Sequence, residues 1–306
     1  MILIGGATAS GKTALAAEVA RKIGGEIVSA DSMQIYRGMN IGTAKERDDD
    51  LGVVQHMIDI CNPDDPFTVA DYKTLARRAV ADITARGKVA VVAGGTGFYI
   101  NALLYTMDYG GDRAAELRWR ERLIADAEQY GNLHLHRKLQ EVDPVSAQKI
   151  HPNNLKRVIR ALEVTYSSGT AFSAQNNVRF EPVEPFVMVT LSGDSAELRC
   201  RIERRVDKMI EAGLESEVRG LVDRGYAFDL QSMQGIGYKE WKPYFDGTAT
   251  VDDVREAICK NTREYAKRQR TWFSGQYPTI ATPVTLQPDT ADRLIDRYRQ
   301  ELRMTR

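Results

Sequence analysis

The chain has 306 residues, of which 43% are apolar and 27% charged, and its 42 basic and 42 acidic side chains leave no formal net charge. This is the make-up of an ordinary globular protein, long enough for one large domain or a core with an insertion, and no apolar run reaches the ~18 residues needed to span a bilayer. Neutrality weighs against a chain that is basic throughout, as many nucleic-acid binders are, but a basic groove can coexist with an acidic far side.

The opening run Met1-Ile2-Leu3-Ile4-Gly5 predicts a strand with no basic leader or cleavable signal before it, so a cytoplasmic protein is expected. A glycine-rich turn follows, then a helix from about Lys12 to Ile23. Strands are predicted over Glu26–Ala30 and Val53–Ile60. Thr68–Ala85 places Val69, Tyr72, Leu75, Ala76 and Val80 at helical spacing, and Val89–Ala93 reads as a buried strand ahead of Gly94-Gly95 and another helix. Strands alternating with helices, the strands continuously apolar, predict an α/β fold: a P-loop NTPase-like parallel sheet core flanked by helices.

From Gly110-Gly111 to Pro182 the chain is rich in helix formers and charge and has no convincing strand. An all-helical insertion is expected over 111–182, with 1–110 and 183–306 forming the core. Phe186–Leu191 reads as one more core strand. Helices follow to about Gly275, then a short strand near Tyr277–Thr282 and a terminal helix. Cys61, Cys200 and Cys259 form no CxxC pair and the four histidines complete no zinc pattern, so the thiols are expected to be reduced and structural.

Gly6-Ala7-Thr8-Ala9-Ser10-Gly11-Lys12-Thr13 fits G-x-x-x-x-G-K-[ST], with a strand before it and a helix after it, the context that motif requires. The loop lets backbone N–H groups converge on phosphate oxygens, and the helix N-terminus adds partial positive charge. Lys12 supplies a point charge and Thr13 a hydroxyl for Mg²⁺. The pattern predicts polyphosphate binding without saying whether the ligand is a nucleotide.

Asp31 ends the second strand and would face this loop, because ligands of open parallel sheets sit at the carboxyl ends of strands. A carboxylate there can ligate Mg²⁺ or take a proton from a nucleophile; it can equally cap a helix. Gly94-Gly95-Thr96-Gly97 repeats the geometry of strand, glycines, hydroxyl and helix. Thr96 can serve a phosphate or merely cap a turn.

More specific are Gly6–Thr13, Asp31–Gly38, Ile41-Gly42-Thr43-Ala44-Lys45, Gly94-Gly95-Thr96, Ile150-His151-Pro152-Asn153, Arg160–Val164, Gly235-Ile236-Gly237-Tyr238-Lys239 and Ala266–Phe273, taken together. In this order they resemble the bacterial tRNA dimethylallyltransferases, also called tRNA isopentenyltransferases, from the first residues to about Gln276. The resemblance implies transfer of a dimethylallyl group from dimethylallyl diphosphate to N6 of the adenosine just 3′ of the anticodon, with Mg²⁺ and without ATP hydrolysis. It implies that the diphosphate lies on Gly6, Thr8, Ala9, Ser10, Gly11, Lys12 and Thr13. Asp31 falls on the general base, Thr96 on the leaving-group contact and Arg205 on a diphosphate-binding arginine. Asp31, Ser32, Met33, Gln34, Arg118, Lys156, Arg157, Arg160, Gln234, Gly235, Ile236, Gly237, Tyr238 and Lys239 fall on segments that contact the tRNA anticodon stem-loop. Three positions depart from the family pattern: Ala7 where proline is common, Gln55-His56 in place of His-His, and Ser274 where arginine is frequent.

Helix spacing supplies basic faces for such a partner. Arg263, Lys267 and Arg270 share one face, Arg157 and Arg160 a second with Lys156 beside them, and Arg201, Arg205 and Lys208 a third, opposite Ile202, Val206 and Met209. Each face alone is more often a solvated surface, and it is the three together, on segments the family uses near substrate, that point toward phosphate contacts. A small-molecule P-loop kinase would need a nucleoside triphosphate, and an adenylate isopentenyltransferase would act on free nucleotides. A non-catalytic RNA-binding protein would not need Lys12, Thr13 and Asp31. The protein is expected to be a monomer.

Overall fold

The computed structural model describes residues 1–106, 113–174, 179–182, 185–277 and 281–304. They group into two units, Met1–Leu104 with Glu184–Arg306, and Tyr105–Val183. The first stretch runs β1 (Ile2–Gly6), α1 (Lys12–Ile23), β2 (Glu26–Ser29), α2 (Asp48–Leu51), β3 (Gln55–His56), α3 (Val69–Ala85), β4 (Ala90–Gly94) and α4 (Gly97–Leu104). The middle holds β5 (Tyr105–Thr106), α5 (Arg113–Tyr130), α6 (Asn132–Val142), α7 (Pro144–Lys149), α8 (Leu155–Ser168) and β6 (Arg179–Pro182). The rest holds β7 (Val187–Leu191), α9 (Ser195–Glu211), α10 (Leu214–Asp223), α11 (Lys242–Phe245), α12 (Val251–Gln276), β8 (Ala281–Val284) and α13 (Thr290–Met304).

In the first unit six strands form one sheet in the order β3-β2-β4-β1-β7-β8, every neighbouring pair parallel. Ile2, Leu3 and Ile4 are wholly buried. Side chains alternate across a strand, so Ile2 and Ile4 join the cluster formed with Leu15, Val19 and Leu294 of α1 and α13. Gly5 has the parity of Leu3, and its Cα faces the Phe273 ring of α12 on the other side of the sheet. Apolar faces on both sides explain why the strands read as continuous hydrophobic runs. The helix over 69–85 is opened by a reciprocal capping box between Thr68 and Asp71.

The edge strand is shorter than the run Val53–Ile60 suggests. Only Gln55–His56 pairs with β2, because Met57 and Asp59 take left-handed backbone (φ 66° and 53°), which ends an extended strand. The two residues that depart from His-His are both engaged. Gln55 donates to the Glu46 carbonyl, and His56 bonds to the buried Glu26, which also holds Arg86 and Lys88. The last strand begins at Ala281; residues 278–280 of the expected Tyr277–Thr282 run lie outside the described residues. Among the described residues no helix is long and apolar enough to cross a membrane.

The second unit is built on α5, α6, α7 and α8 around Leu123, Leu135, Leu139, Val158 and Leu162. It is not all helix: Tyr105–Thr106 pairs antiparallel with Arg179–Pro182. A two-residue strand is too short to show in a sequence pattern. The Gly110-Gly111 opening lies outside the described residues. Cys61 and Cys259 are buried, whereas Cys200 is exposed; none is paired.

Candidate active site

Neighbouring strands β2, β4 and β1 leave the sheet at the same edge, because all are parallel. Their carboxyl ends carry Asp31, the Gly94–Gly97 turn and the phosphate loop. Strands lie ~4.8 Å apart, so the three segments fall within ~10 Å of one another.

The loop Gly6–Thr13 joins β1 to α1. Ala9 and Gly11 take left-handed backbone (φ 59° and 91°). The first turn of α1 has no acidic residue and no side-chain cap, so the helix N-terminus stays open to an anion. The buried Ser10 Oγ has no hydrogen-bond partner among the described residues. Such a hydroxyl is costly unless something else bonds to it. Lys12 Nζ donates to the Ala7 carbonyl at 2.5 Å. Burial pulls the Lys12 ammonium down to about 8; the Asp31 carboxylate opposes that shift and the Arg205 guanidinium adds to it. Arg205 on α9 donates to Thr8 Oγ1 (3.5 Å) and the Thr43 carbonyl (3.4 Å). Burial pulls its guanidinium down too, with Asp31 and Glu46 opposing. The two cations are therefore held close and under-solvated, a state that an anion between them relieves.

Asp31 Oδ1 accepts the Met33 N–H at 2.9 Å, which closes a turn and caps no helix, and this bond occupies one carboxylate oxygen. Thr96 Oγ1 accepts the Ser32 N–H (3.0 Å) and makes a long 3.3 Å bond to Ser32 Oγ. The β2 and β4 turns are thereby tied together. Gln34 bridges from Ser29 Oγ to the Thr43 carbonyl. Asp31, Ser32, Met33 and Gln34 are all half-buried. Thr13 is half-buried in the first turn of α1. Among the described residues no group of three His, Cys, Asp or Glu side chains is arranged to hold a metal.

Gln269 of α12 is a site residue that charge patterning overlooks. Its Oε1 accepts the Thr8 N–H (2.8 Å) and its Nε2 donates to the Gly95 carbonyl (2.9 Å), so one buried amide holds the phosphate loop and the Thr96 turn together. The amide packs so closely on Gly95 that a Cβ there would collide with it. The Thr8 N–H is thus spent on Gln269. The available signal was a glutamine on the apolar stripe Ala266–Gln269–Phe273. Ser274, one of the departures, donates to the Thr271 carbonyl of its own helix. Ala7, another, supplies its carbonyl to Lys12.

The remaining sequence-predicted positions divide by exposure. Gly235 is buried with Met33 Cε against it, and Gly237 and Tyr238 are also buried; Gln234 is exposed, Ile236 and Lys239 half-buried. Tyr238 therefore serves the interior. In the second unit Arg118, Lys156 and Arg157 are exposed. Arg160 is committed to Glu116 (2.8 Å) and to the buried Glu163 (2.7 Å), which Arg120 also grips. Its face is thus less basic than the spacing suggests. Of the stripe on α12, Arg263 meets Glu203, Arg270 donates to Ser195 Oγ, and Lys267 is exposed. Of the stripe on α9, Arg201 pairs with Glu197, Arg205 turns toward the phosphate loop and Lys208 is exposed.

Beside the first residues of the phosphate loop lies a cavity of about 930 Å³, with Leu191, Ile202, Ala266 and Phe273 among its apolar walls and Arg263 and Lys267 among its polar ones. Residues 34–276 match the IPP transferase family model. The chain belongs to the IPP transferase family. A tRNA dimethylallyltransferase of Alkaliphilus metalliredigens is 46% identical over 282 residues, covering 90% of this chain and 88% of the relative. One from Bacillus cytotoxicus is 44% identical over 296 residues, covering 96% and 93%. The crystal structure of the tRNA isopentenylpyrophosphate transferase from Bacillus halodurans superposes with a TM-score of 0.72 at 37% identity, over 99% of this chain and 98% of that one. A eukaryotic dimethylallyltransferase acting on tRNA superposes with a TM-score of 0.84 at 27% identity, over 100% of this chain and 80% of that one.

Proposed function

We propose that this IPP transferase family member moves a dimethylallyl group from dimethylallyl diphosphate to N6 of the adenosine 3′-adjacent to the tRNA anticodon, giving N6-isopentenyladenosine and diphosphate. The observation that carries this is the meeting of Lys12, Arg205, Thr96 and Asp31 at three neighbouring strand ends, in a chain whose relatives are named for this reaction.

The diphosphate lies on the phosphate loop, where Ser10 Oγ and the open N–H groups of α1 meet its oxygens. The apolar walls of the adjacent cavity suit a five-carbon prenyl chain. As the adenine amine bonds to the allylic carbon, the bond from that carbon to the diphosphate oxygen breaks and its electron pair leaves with the diphosphate. Lys12 and Arg205 neutralise that charge, in surroundings dry enough for fixed donors to act strongly. The Thr96 hydroxyl, whose bond to Ser32 Oγ is long, would turn to donate to the departing oxygen. The proton lost from N6 goes to the carboxylate oxygen of Asp31 that Met33 does not use.

Mg²⁺ fits as a partner of the diphosphate. The donor at hand is the Thr13 hydroxyl, and Mg²⁺ commonly takes few protein ligands, completing its shell with substrate phosphates and waters rather than an all-protein cage. When bound it would neutralise phosphate charge. The tRNA would be gripped by charge and shape through Arg118, Lys156, Arg157, Lys239 and the half-buried Ser32–Gln34 turn, with its target base flipped out of the stack.

The test is mass analysis of nucleosides from unmodified tRNA incubated with the protein, dimethylallyl diphosphate and Mg²⁺. The expected product is adenosine heavier by one dimethylallyl group, formed without ATP. A strict requirement for ATP would overturn the assignment and favour a kinase.

A further inference from the structure

The segments Ile41–Lys45 and Gly235–Lys239 are almost two hundred residues apart in the chain yet meet at one carboxylate. Glu217, in the first turn of α10, accepts the backbone N–H groups of Asn40 (2.9 Å), Ile41 (2.8 Å) and Gly42 (3.1 Å), and the Tyr238 hydroxyl donates to it at 2.7 Å. Three successive N–H groups aimed at one point form a concave anion site, here filled by the protein's own side chain. The Tyr238 ring lies so close to Gly42 that an added Cβ would sit 2.5 Å from Cζ, so only glycine fits.

The loop that this carboxylate holds is tight elsewhere. Thr43 Oγ1 donates to the Met39 carbonyl at 2.6 Å, and Lys45 Nζ donates to the Tyr36 carbonyl and to Asp59. What the loop delivers is the Thr43 carbonyl. That oxygen accepts Arg205 Nη2 (3.4 Å) and Gln34 Nε2 (3.3 Å), while Arg205 Nη1 reaches Thr8 of the phosphate loop. Both Arg205 bonds are at the long end of the hydrogen-bond range, so a small further shift of the Thr43 carbonyl would lose one of them.

We propose that Glu217 is a positioning residue for Arg205: by gathering the Asn40–Gly42 N–H groups it fixes the Thr43 carbonyl, which orients the guanidinium toward the diphosphate. This rests on the phosphate loop being the diphosphate site. Removing the carboxylate leaves three adjacent N–H donors short of an acceptor, and the loop relaxes before any group that touches the ligand is altered.

The test is a double-mutant cycle of Glu217→Gln with Arg205→Ala, read by titration calorimetry with inorganic diphosphate and by kcat and KM for dimethylallyl diphosphate. A glutamine keeps the size but has one acceptor oxygen where the carboxylate has two. Glu217→Gln alone is expected to weaken diphosphate binding by roughly tenfold, and in the Arg205→Ala background to change it by less than about twofold, because the two residues act as one unit. Effects that multiply in the double variant would overturn the proposal. Should Glu217→Gln fail to fold, Tyr238→Phe removes one of the four hydrogen bonds; it is expected to weaken diphosphate binding by about two- to fourfold and by nothing in the Arg205→Ala background. Equal loss in both backgrounds would again overturn it. Failure of the functional assignment is separate: the unmodified protein would then make no prenylated tRNA, whatever its affinity for diphosphate.

Discussion

Gln269 Oε1 accepts the backbone N–H of Thr8 at 2.8 Å, so a helix from the far end of the chain holds the phosphate loop. The same side chain donates to the Gly95 carbonyl. Gln269→Glu keeps the acceptor but puts a second oxygen against that carbonyl. The lost bond and the unmatched buried charge are expected to cost about 1–3 kcal/mol of stability. The spacing between diphosphate and Thr96 should loosen too, lowering kcat by ~10-fold or more. Thermal unfolding together with single-turnover rates measures both; a variant that matches the parent in each would remove Gln269 from the site.

Lys12 makes diphosphate affinity depend on pH. Its ammonium titrates at about 8 in the free protein, and a bound diphosphate raises that value again. Binding above about pH 8 therefore takes up a proton, and affinity should be flat below that pH and fall by up to ~10-fold per unit above it. Lys12→Arg, charged throughout, should lose that dependence. The stability sign is opposite: between about 8 and the ordinary lysine value of 10.5 the unfolded chain binds more protons, so the free protein gains stability as pH rises. Calorimetry in buffers of different ionisation enthalpy counts the proton, and a pH-independent affinity across this window contradicts the assignment.

Asp31→Asn should keep the turn, because an amide oxygen still accepts the Met33 N–H. Affinity for tRNA and for the prenyl diphosphate should survive, while kcat falls by ~10²-fold or more as expected for a lost general base. If kcat barely moves and the Mg²⁺ dependence shifts instead, Asp31 is a metal ligand.

Arg157 and Arg160 share a helix face but not a role. Replacing the exposed Lys156 and Arg157 with alanine should weaken tRNA binding and flatten its salt dependence by up to about one unit per lost phosphate contact. Arg160→Ala should instead lower the stability of the helical unit, because Glu163 is buried and keeps only Arg120 of its two arginines. Prenyl diphosphate affinity should not change in either variant. Normal tRNA binding by the Lys156/Arg157 variant through a salt titration would make this face a solvated surface.

The phosphate loop with its flanking strand and helix was legible in the chain because its partners are neighbours in sequence: a few adjacent residues set the turn and the helix start. The apolar runs disclosed the central strands because a sheet covered on both faces must be apolar on both. The motifs further along the chain carried the family. Tertiary structure alone decided what each motif does. Tyr238 looked like a ligand contact and lies inside against Gly42 and Glu217; Arg160 looked like a phosphate grip and is spent on Glu116 and Glu163; Gln269, marked only as part of the Ala266–Phe273 segment, and Glu217, which no motif marked, tie the loops together. Edge strand β3 is cut short by left-handed residues that carry no glycine to announce them. A hydrogen bond to a residue more than a hundred positions away depends on which faces pack together, and spacing along one helix gives the direction of a side chain but not the identity of what it meets.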